Sequence, residues 1–154
     1  MWSRVFGAES AEVSPASILE HLHQHNLMVE GRFRGDDLGW TACELALPIE
    51  PGSPITIERY LTKEDDLRAD LNSWAAGLEA AADYSPNAPS LMERVIQTQQ
   101  LFTVHRPIDH RDEVTLERLI QTVCQYLATR TMGFYQIDQQ GFYDRDGTLL
   151  VEEY

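Results

Sequence analysis

Three short runs of alternating apolar residues lie close together between positions 27 and 61. Side chains two positions apart point to the same face of a β-strand, so each run predicts a half-buried strand. The turns at 35–39 and 48–54 are too short for the crossover that parallel strands need, so we expect an antiparallel β-meander. The apolar rows are Leu27, Val29 and Phe33, then Cys43, Leu45 and Leu47, and finally Ile55, Ile57 and Leu61.

The first and the last of the four predicted helices are recognised from their terminal residues and from an apolar stripe. Ser14 followed by Pro15 is typical of a helix N-terminus, and this helix should end near Asn26. A long apolar stripe predicts the last helix over 114–130, where Gly133 follows as a C-terminal glycine.

Two further helices are predicted from capping-box patterns. Thr62 to Asp65 resembles a capping box with Asp in the place usually taken by Glu or Gln, and it opens a helix to about residue 82. Ser90 to Glu93 is a second box, which opens a shorter helix to about residue 97.

The remaining elements complete an α+β fold. Residues 100–106, 134–138 and 148–152 are interpreted as strands, the last two joined through 141–143 and a turn at 144–147. Residues 1–13 show no clear periodicity and are expected to be an irregular N-terminal segment. The predicted order is α-β-β-β-α-α-β-α-β-β, an antiparallel sheet with helices packed mainly on one face. A length of 154 residues favours a single domain over 1–154.

The chain is strongly acidic, with 25 acidic and 12 basic residues and a net charge of -13. This charge repels phosphate groups, so we expect neither a nucleic acid nor an anionic membrane surface as partner. A basic protein partner is compatible with it. The sequence has no apolar run of about 20 residues and no leader pattern, which favours a cytoplasmic location. It also lacks a glycine-rich phosphate loop, and we expect no cofactor.

Two histidine clusters are the candidate metal or catalytic residues. His21 and His25 are four apart and share a helix face, a spacing compatible with a metal pair, although both also flank the apolar stripe as ordinary helix residues do. His105, Asp109 and His110 fall in a proline-marked loop between a strand and a helix. A helix histidine joining this loop would complete a metal site that activates water for hydrolysis. The competing interpretation is a helix cap with solvated histidines.

The two cysteines, Cys43 and Cys124, are too few for a disulfide scaffold or a cysteine-based metal site. Neither lies in a recognisable nucleophile turn, and both coincide with apolar stripes. We expect buried thiols rather than catalytic ones.

Two helix surfaces are unusually poor in acidic residues for such a chain. One carries Ala69, Asn72, Ser73 and Ala76, and the other carries Arg118, Gln121, Gln125 and Thr129. Charge is depleted at the centres of protein interfaces, so either surface is a candidate for contact with a partner or with a second copy in a homodimer.

The first functional hypothesis is therefore a non-enzymatic, acidic protein-binding module that sequesters or escorts a partner. One alternative is a metal-dependent hydrolase built on His105, Asp109 and His110 with a helix histidine. The other is a structural subunit of a homo-oligomer.

Overall fold

The computed structural model describes residues 1–153, and within them it has eight strands and four helices. The strands are β1 (Trp2–Gly7), β2 (Glu30–Asp36), β3 (Gly39–Ala46), β4 (Ile55–Leu61), β5 (Gln100–His105), β6 (Phe134–Ile137), β7 (Gly141–Asp144) and β8 (Leu149–Glu152). The helices are α1 (Pro15–Gln24), α2 (Arg68–Ala81), α3 (Ala88–Ile96) and α4 (Glu113–Arg130). The predicted α+β class is confirmed. None of the described helices is long and apolar enough to span a bilayer.

The N-terminal strand β1 lies in the middle of the sheet, whose order is β2-β3-β4-β5-β1-β6-β7-β8 with every pair antiparallel. The prediction that residues 1–13 are irregular is therefore wrong for their first half. Val5 and Phe6 are both buried, and they belong to the apolar clusters on opposite faces of the sheet. A strand covered on both faces lacks the alternation of a half-buried strand, which is why the sequence does not reveal β1.

The four helices form two layers on the sheet. α1 and α4 lie on one face, over a cluster that includes Val5 and Phe102. α2 and α3 pack on the other face, around Phe6, Leu101 and Phe134. No residue of β2 or β3 belongs to the cluster beneath α2 and α3, so that half of the second face has no helix over it.

The meander of β2, β3 and β4 is confirmed. Cys43 pairs with Phe33 on one side and with Ile57 on the other, so the three apolar rows form one continuous surface. Leu27, Cys43 and Ile57 are buried in the cluster beneath α1 and α4. The outward residues of the same strands face the uncovered half of the sheet.

Two predicted helix starts are confirmed and two are wrong. The Ser14 hydroxyl accepts the N–H of Ser17 at 3.2 Å, and the Asp112 carboxylate accepts the N–H of Thr115 at 3.1 Å. Thr62 is buried, and its hydroxyl donates to the carbonyl of Thr98 at 2.8 Å instead of capping α2, which begins at Arg68. α3 begins at Ala88, so its predicted capping residue lies within the helix.

The C-terminal part contains three strands, one more than the two predicted from the sequence. Residues 141–143, interpreted as a connection, belong to β7, which pairs with both β6 and β8. The turn at 144–147 is confirmed, because the N–H of Asp144 donates to the carbonyl of Thr148 at 2.8 Å and Gly147 has a φ of 92°. β7 is only four residues long and begins with glycine, so its sequence gives little strand signal.

Gly133 follows α4 as predicted, but its role differs from that of a helix-ending glycine. The left-handed conformation falls on Met132, with a φ of 57°. A Cβ on Gly133 would overlap the carbonyl oxygen of Phe6 and approach Gly7, both in β1. Glycine is therefore required because the chain entering β6 passes directly against the backbone of β1.

We predict that Gly133→Ala lowers the free energy of unfolding by about 2 kcal/mol or more, because rigid backbone in β1 must move. The matched control is Gly77→Ala, since Gly77 lies in α2 with no atom near its added Cβ. That control should raise the free energy by about 0.5–1 kcal/mol through helix propensity. Urea unfolding measures both, and equal stability of the two variants would contradict the close-approach explanation.

Candidate functional site

The helix histidines form a packed stack rather than an open ligand pair. The His21 ring lies 4.2 Å from the His25 ring and 4.1 Å from the Tyr126 ring on α4, between ring centroids. His25 Nδ1 is 2.9 Å from the carbonyl oxygen of His21. Burial, followed by the neighbouring His25, lowers the pKa of His21, which keeps the ring neutral near pH 7.

The loop histidines lie at the other end of α4. His110 has a fully buried side chain whose Nδ1 accepts the N–H of Asp112 at 3.0 Å, so its proton is on Nε2. That Nε2 is buried without a hydrogen-bond partner among the described residues. His105, at the end of β5, stacks at 4.3 Å on Trp2 instead, and Asp109 is exposed in the loop between them.

The structure does not bring the two histidine clusters together. His21 packs on Tyr126, which is fourteen residues along α4 from the Asp112 cap, or about 21 Å at 1.5 Å per residue. Metal–nitrogen bonds are about 2 Å long, so these side chains cannot share a first coordination shell. Within residues 1–153, no group of three or more His, Cys, Asp or Glu side chains is arranged to hold a metal ion.

Both cysteines are buried in the cluster beneath α1 and α4. Burial raises the pKa of Cys43 and that of Cys124 to about 12 each. A thiol with such a pKa has almost no nucleophilic thiolate at neutral pH.

We predict that neither cysteine reacts with a thiol-specific reagent at pH 8 while the protein is folded, because about one thiol in ten thousand is then ionised and both are buried. Two equivalents should react after unfolding in guanidinium. Rapid labelling of a single thiol in the native protein would contradict the buried positions.

The uncovered half of the sheet is the most distinctive surface of the molecule. It is formed by the outward residues of β2 to β5, opposite α1 and α4, and α2 forms a wall along its inner boundary. One row of cross-strand neighbours runs from Arg34 through Ala42, Glu58 and Thr103 to Arg4. Ala42 is small and 7% exposed, so the surface is recessed at the middle of this face.

Two adjoining hollows on this face share Tyr60 and Asp65 and form one groove. The hollow over β3 and β4 measures about 320 Å³, and the one against α2 measures about 600 Å³. We call this the acidic groove. Its carboxylates and aromatic rings are Asp36, Glu58, Tyr60, Glu64, Asp65, Asp70 and Trp74.

None of the five groove carboxylates is in an ion pair within residues 1–153. Two of them accept backbone N–H groups, Asp36 from Leu38 at 2.9 Å and Asp65 from Leu61 at 2.7 Å. A third, Glu58, accepts a hydrogen bond from the hydroxyl of Tyr60, which raises the pKa of Tyr60 to about 12. Three of the five carboxylates are therefore positioned by neutral donors rather than by cations.

The arginines that line the groove form no ion pair with its carboxylates within residues 1–153, although Arg59 is close enough to Asp36 and Asp65 to interact with them electrostatically. Arg4 is already paired with Asp138 at 2.8 Å, and its guanidinium lies 4.9 Å from the ring centroid of Trp74. Arg59 is 5% exposed and directs its donors inward. Only Arg34 adds an exposed and unpaired positive charge among the described residues of the groove.

Arg59 holds the floor of the groove through a buried polar network. Its guanidinium donates to the carbonyl oxygens of Trp40 and Leu38, both at 3.1 Å, and to that of Ser10 at 3.3 Å. Its Nε donates to the side chain of Gln100 at 2.7 Å, and Gln100 in turn donates to the carbonyl of Glu9 at 2.6 Å. Burial lowers the pKa of Arg59 from its ordinary value. The network attaches the segment after β1 to β4 and β5.

We predict that Arg59→Lys lowers the free energy of unfolding by about 2–4 kcal/mol, because one ammonium cannot satisfy the buried carbonyls that the guanidinium reaches. The exposed Arg32 provides the control, since Arg32→Lys should change the free energy by less than about 0.5 kcal/mol. Thermal and urea unfolding measure both. Equal stabilities would show that the network contributes little.

Sequence reasoning identified part of the groove but not the groove itself. The acidic groups at 36–37 and at 64–66 with Asp70 were visible as local concentrations of charge. Their convergence depends on the segment before α2 lying near the β2–β3 turn, which the sequence does not show. The residues that reasoning missed are Glu58 and Tyr60, and their positions two apart on β4 were the available signal.

The acid-poor helix surfaces contribute little to this site. Asn72 and Ala76 of α2 are exposed, and Ser73 lines the edge of the groove. On α4, Arg118 donates to the carbonyl of Asn26 at 3.3 Å and Gln125 donates to the hydroxyl of Tyr135 at 3.2 Å. These two α4 residues are used within the molecule.

Comparison of the chain with family models, with curated proteins and with solved structures gave no match. The class that the fold and the groove define is an acidic α+β module with one half-covered sheet face.

Proposed function

We propose that the protein is a non-enzymatic binding module that holds a basic segment of a partner protein in the acidic groove. The observation that carries this proposal is the set of five carboxylates that line the groove between the open sheet face and the start of α2, none of them in an ion pair within the described residues. Lysine or arginine side chains of a partner would supply the missing positive charge.

The dimensions of the groove favour an extended segment. It crosses from β1 to β2 over β5, β4 and β3, which is four strand spacings or about 19 Å. A fully extended peptide advances about 3.3 Å per residue, so about six residues match this length.

Aromatic rings strengthen the case for arginine in the partner. Tyr60 stands where the two hollows meet, and Trp74 lines the wall on α2. A guanidinium stacks favourably on such rings, as Arg4 already does on Trp74 within the molecule. The preferred segment is therefore extended, rich in arginine, and short.

The test uses a labelled hexapeptide of alternating arginine and leucine, followed by fluorescence anisotropy. We expect binding that weakens as salt is raised, because the contacts are exposed ion pairs. The double variant Glu64→Gln with Asp70→Asn should bind about 3–10 times more weakly, since each exposed pair contributes about 0.2–1 kcal/mol. Both residues are exposed, and Asp70 lies in the first turn of α2, where its loss should cost only a few tenths of a kcal/mol of stability.

The matched control is Glu79→Gln with Glu93→Gln, which removes the same charge from exposed helix positions outside the groove. The control should bind the peptide within about twofold of the wild type. Equal weakening of both double variants would mean that only net charge matters, and the absence of peptide binding at low salt would overturn the proposal.

A further inference from the structure

The two edges of the sheet differ in how they are protected. β8 is only four residues long, and the side chain of Asn87 donates to its Leu150 carbonyl at 2.9 Å. β2 is seven residues long and pairs only with β3. Among the described residues, no backbone hydrogen bond is made to the outer side of β2. An open edge of this length is a template for another strand.

The residues along this edge are complementary to a second copy of themselves. Glu30 and Arg32 project on the uncovered face, where their side chains are 70% and 78% exposed and lie 4.0 Å from each other in a loose, exposed ion pair. Val29 and Phe33 lie on the other face, where both are partly buried against the apolar cluster. Met28, just before the strand, is 56% exposed although it is apolar.

The antiparallel register centred on Gly31 satisfies both faces without placing like charges opposite each other. With Gly31 opposite its own copy, Glu30 lies opposite Arg32 twice, and Val29 lies opposite Phe33 twice. The register centred on Phe33 would place Glu30 opposite Asp36 and Arg32 opposite Arg34. The one centred on Arg32 would place Glu30 opposite Arg34 twice, but it would also oppose Arg32 to its own copy on the two-fold axis. Registers shifted by one residue would bring charged side chains onto the apolar face.

The irregularity in β2 also limits the register. A bulge between Arg34 and Gly35 disturbs the pairing with β3. The register centred on Gly31 pairs the part of β2 from Glu30 to Arg34 with residues 28–32 of the other copy and stops at this bulge, so residues 28 and 29 must extend the strand when the copies associate.

We propose that β2 is the site at which two copies of this chain associate, through antiparallel pairing centred on Gly31. The two eight-stranded sheets then form one continuous sheet with a two-fold axis perpendicular to it. Both uncovered faces lie on the same side of this sheet, so the two acidic grooves open on one surface. The association does not depend on the proposed peptide binding, because neither Glu30 nor Arg32 lines the acidic groove.

Charge exchange across the two-fold axis tests the register. The wild type should have about twice the 17.6 kDa mass of one chain in size-exclusion light scattering. Glu30→Arg and Arg32→Glu each replace two attractive pairs with two repulsive ones, so each should weaken dimerisation at least tenfold, on the order of 1.4 kcal/mol. The double variant Glu30→Arg with Arg32→Glu restores opposite charges in this register and should recover the dimer.

Glu93→Arg and Arg111→Glu are the matched controls, because they make the same charge changes at exposed positions away from β2 and should remain dimeric. Circular dichroism confirms that each variant is folded. A wild type that stays monomeric at concentrations of about 200 µM overturns the proposal. So does a dimer that is unaffected by the single changes, or a double variant that remains monomeric. Peptide binding measured on the same variants shows whether the acidic groove binds its peptide independently of whether the protein dimerises.

Discussion

The structure depends on the insertion of β1 between β5 and β6. Val5 and Phe6 are adjacent in sequence but lie in the two different apolar clusters, so this one strand connects both layers of the core. It also joins the meander to the three C-terminal strands, because no other strand pairs with both β5 and β6 among the described residues. The absence of a side chain at Gly133 allows the chain to approach β1 closely enough for this pairing.

The functional surface follows from the unequal cover that the helices provide. α1 and α4 bury one face from the meander to β6, whereas α2 and α3 bury only the part of the other face around β1 and β6. The outward residues of the meander are consequently polar, and the boundary with α2 becomes a groove. Because backbone donors and the Tyr60 hydroxyl hold three of its carboxylates, the groove keeps a defined geometry without neutralising its charge.

The buried Arg59 stabilises the backbone beneath the acidic groove through a network of hydrogen bonds. Its guanidinium satisfies carbonyls from the β2–β3 turn, from β3 and from the segment after β1, while Gln100 extends the same network to Glu9. These are backbone groups that would otherwise be buried without partners, which is costly. A single buried cation therefore joins two connecting segments to β3, and the nearby Glu12, Asp36 and Asp65 oppose the lowering of its pKa by burial.

The sequence by itself determined the α+β class, the meander, the starts of α1 and α4, and the position of β5, because these depend on local periodicity and capping. The tertiary structure alone decided the place of β1, since burial on both faces removes the alternation that marks a strand. It also decided the start of α2, where a hydrogen bond from Thr62 to Thr98 replaces the expected cap. Above all, it decided which charges meet. Asp36, Glu58 and Asp70 are far apart along the chain, and only the packing of α2 beside the meander brings them to one groove.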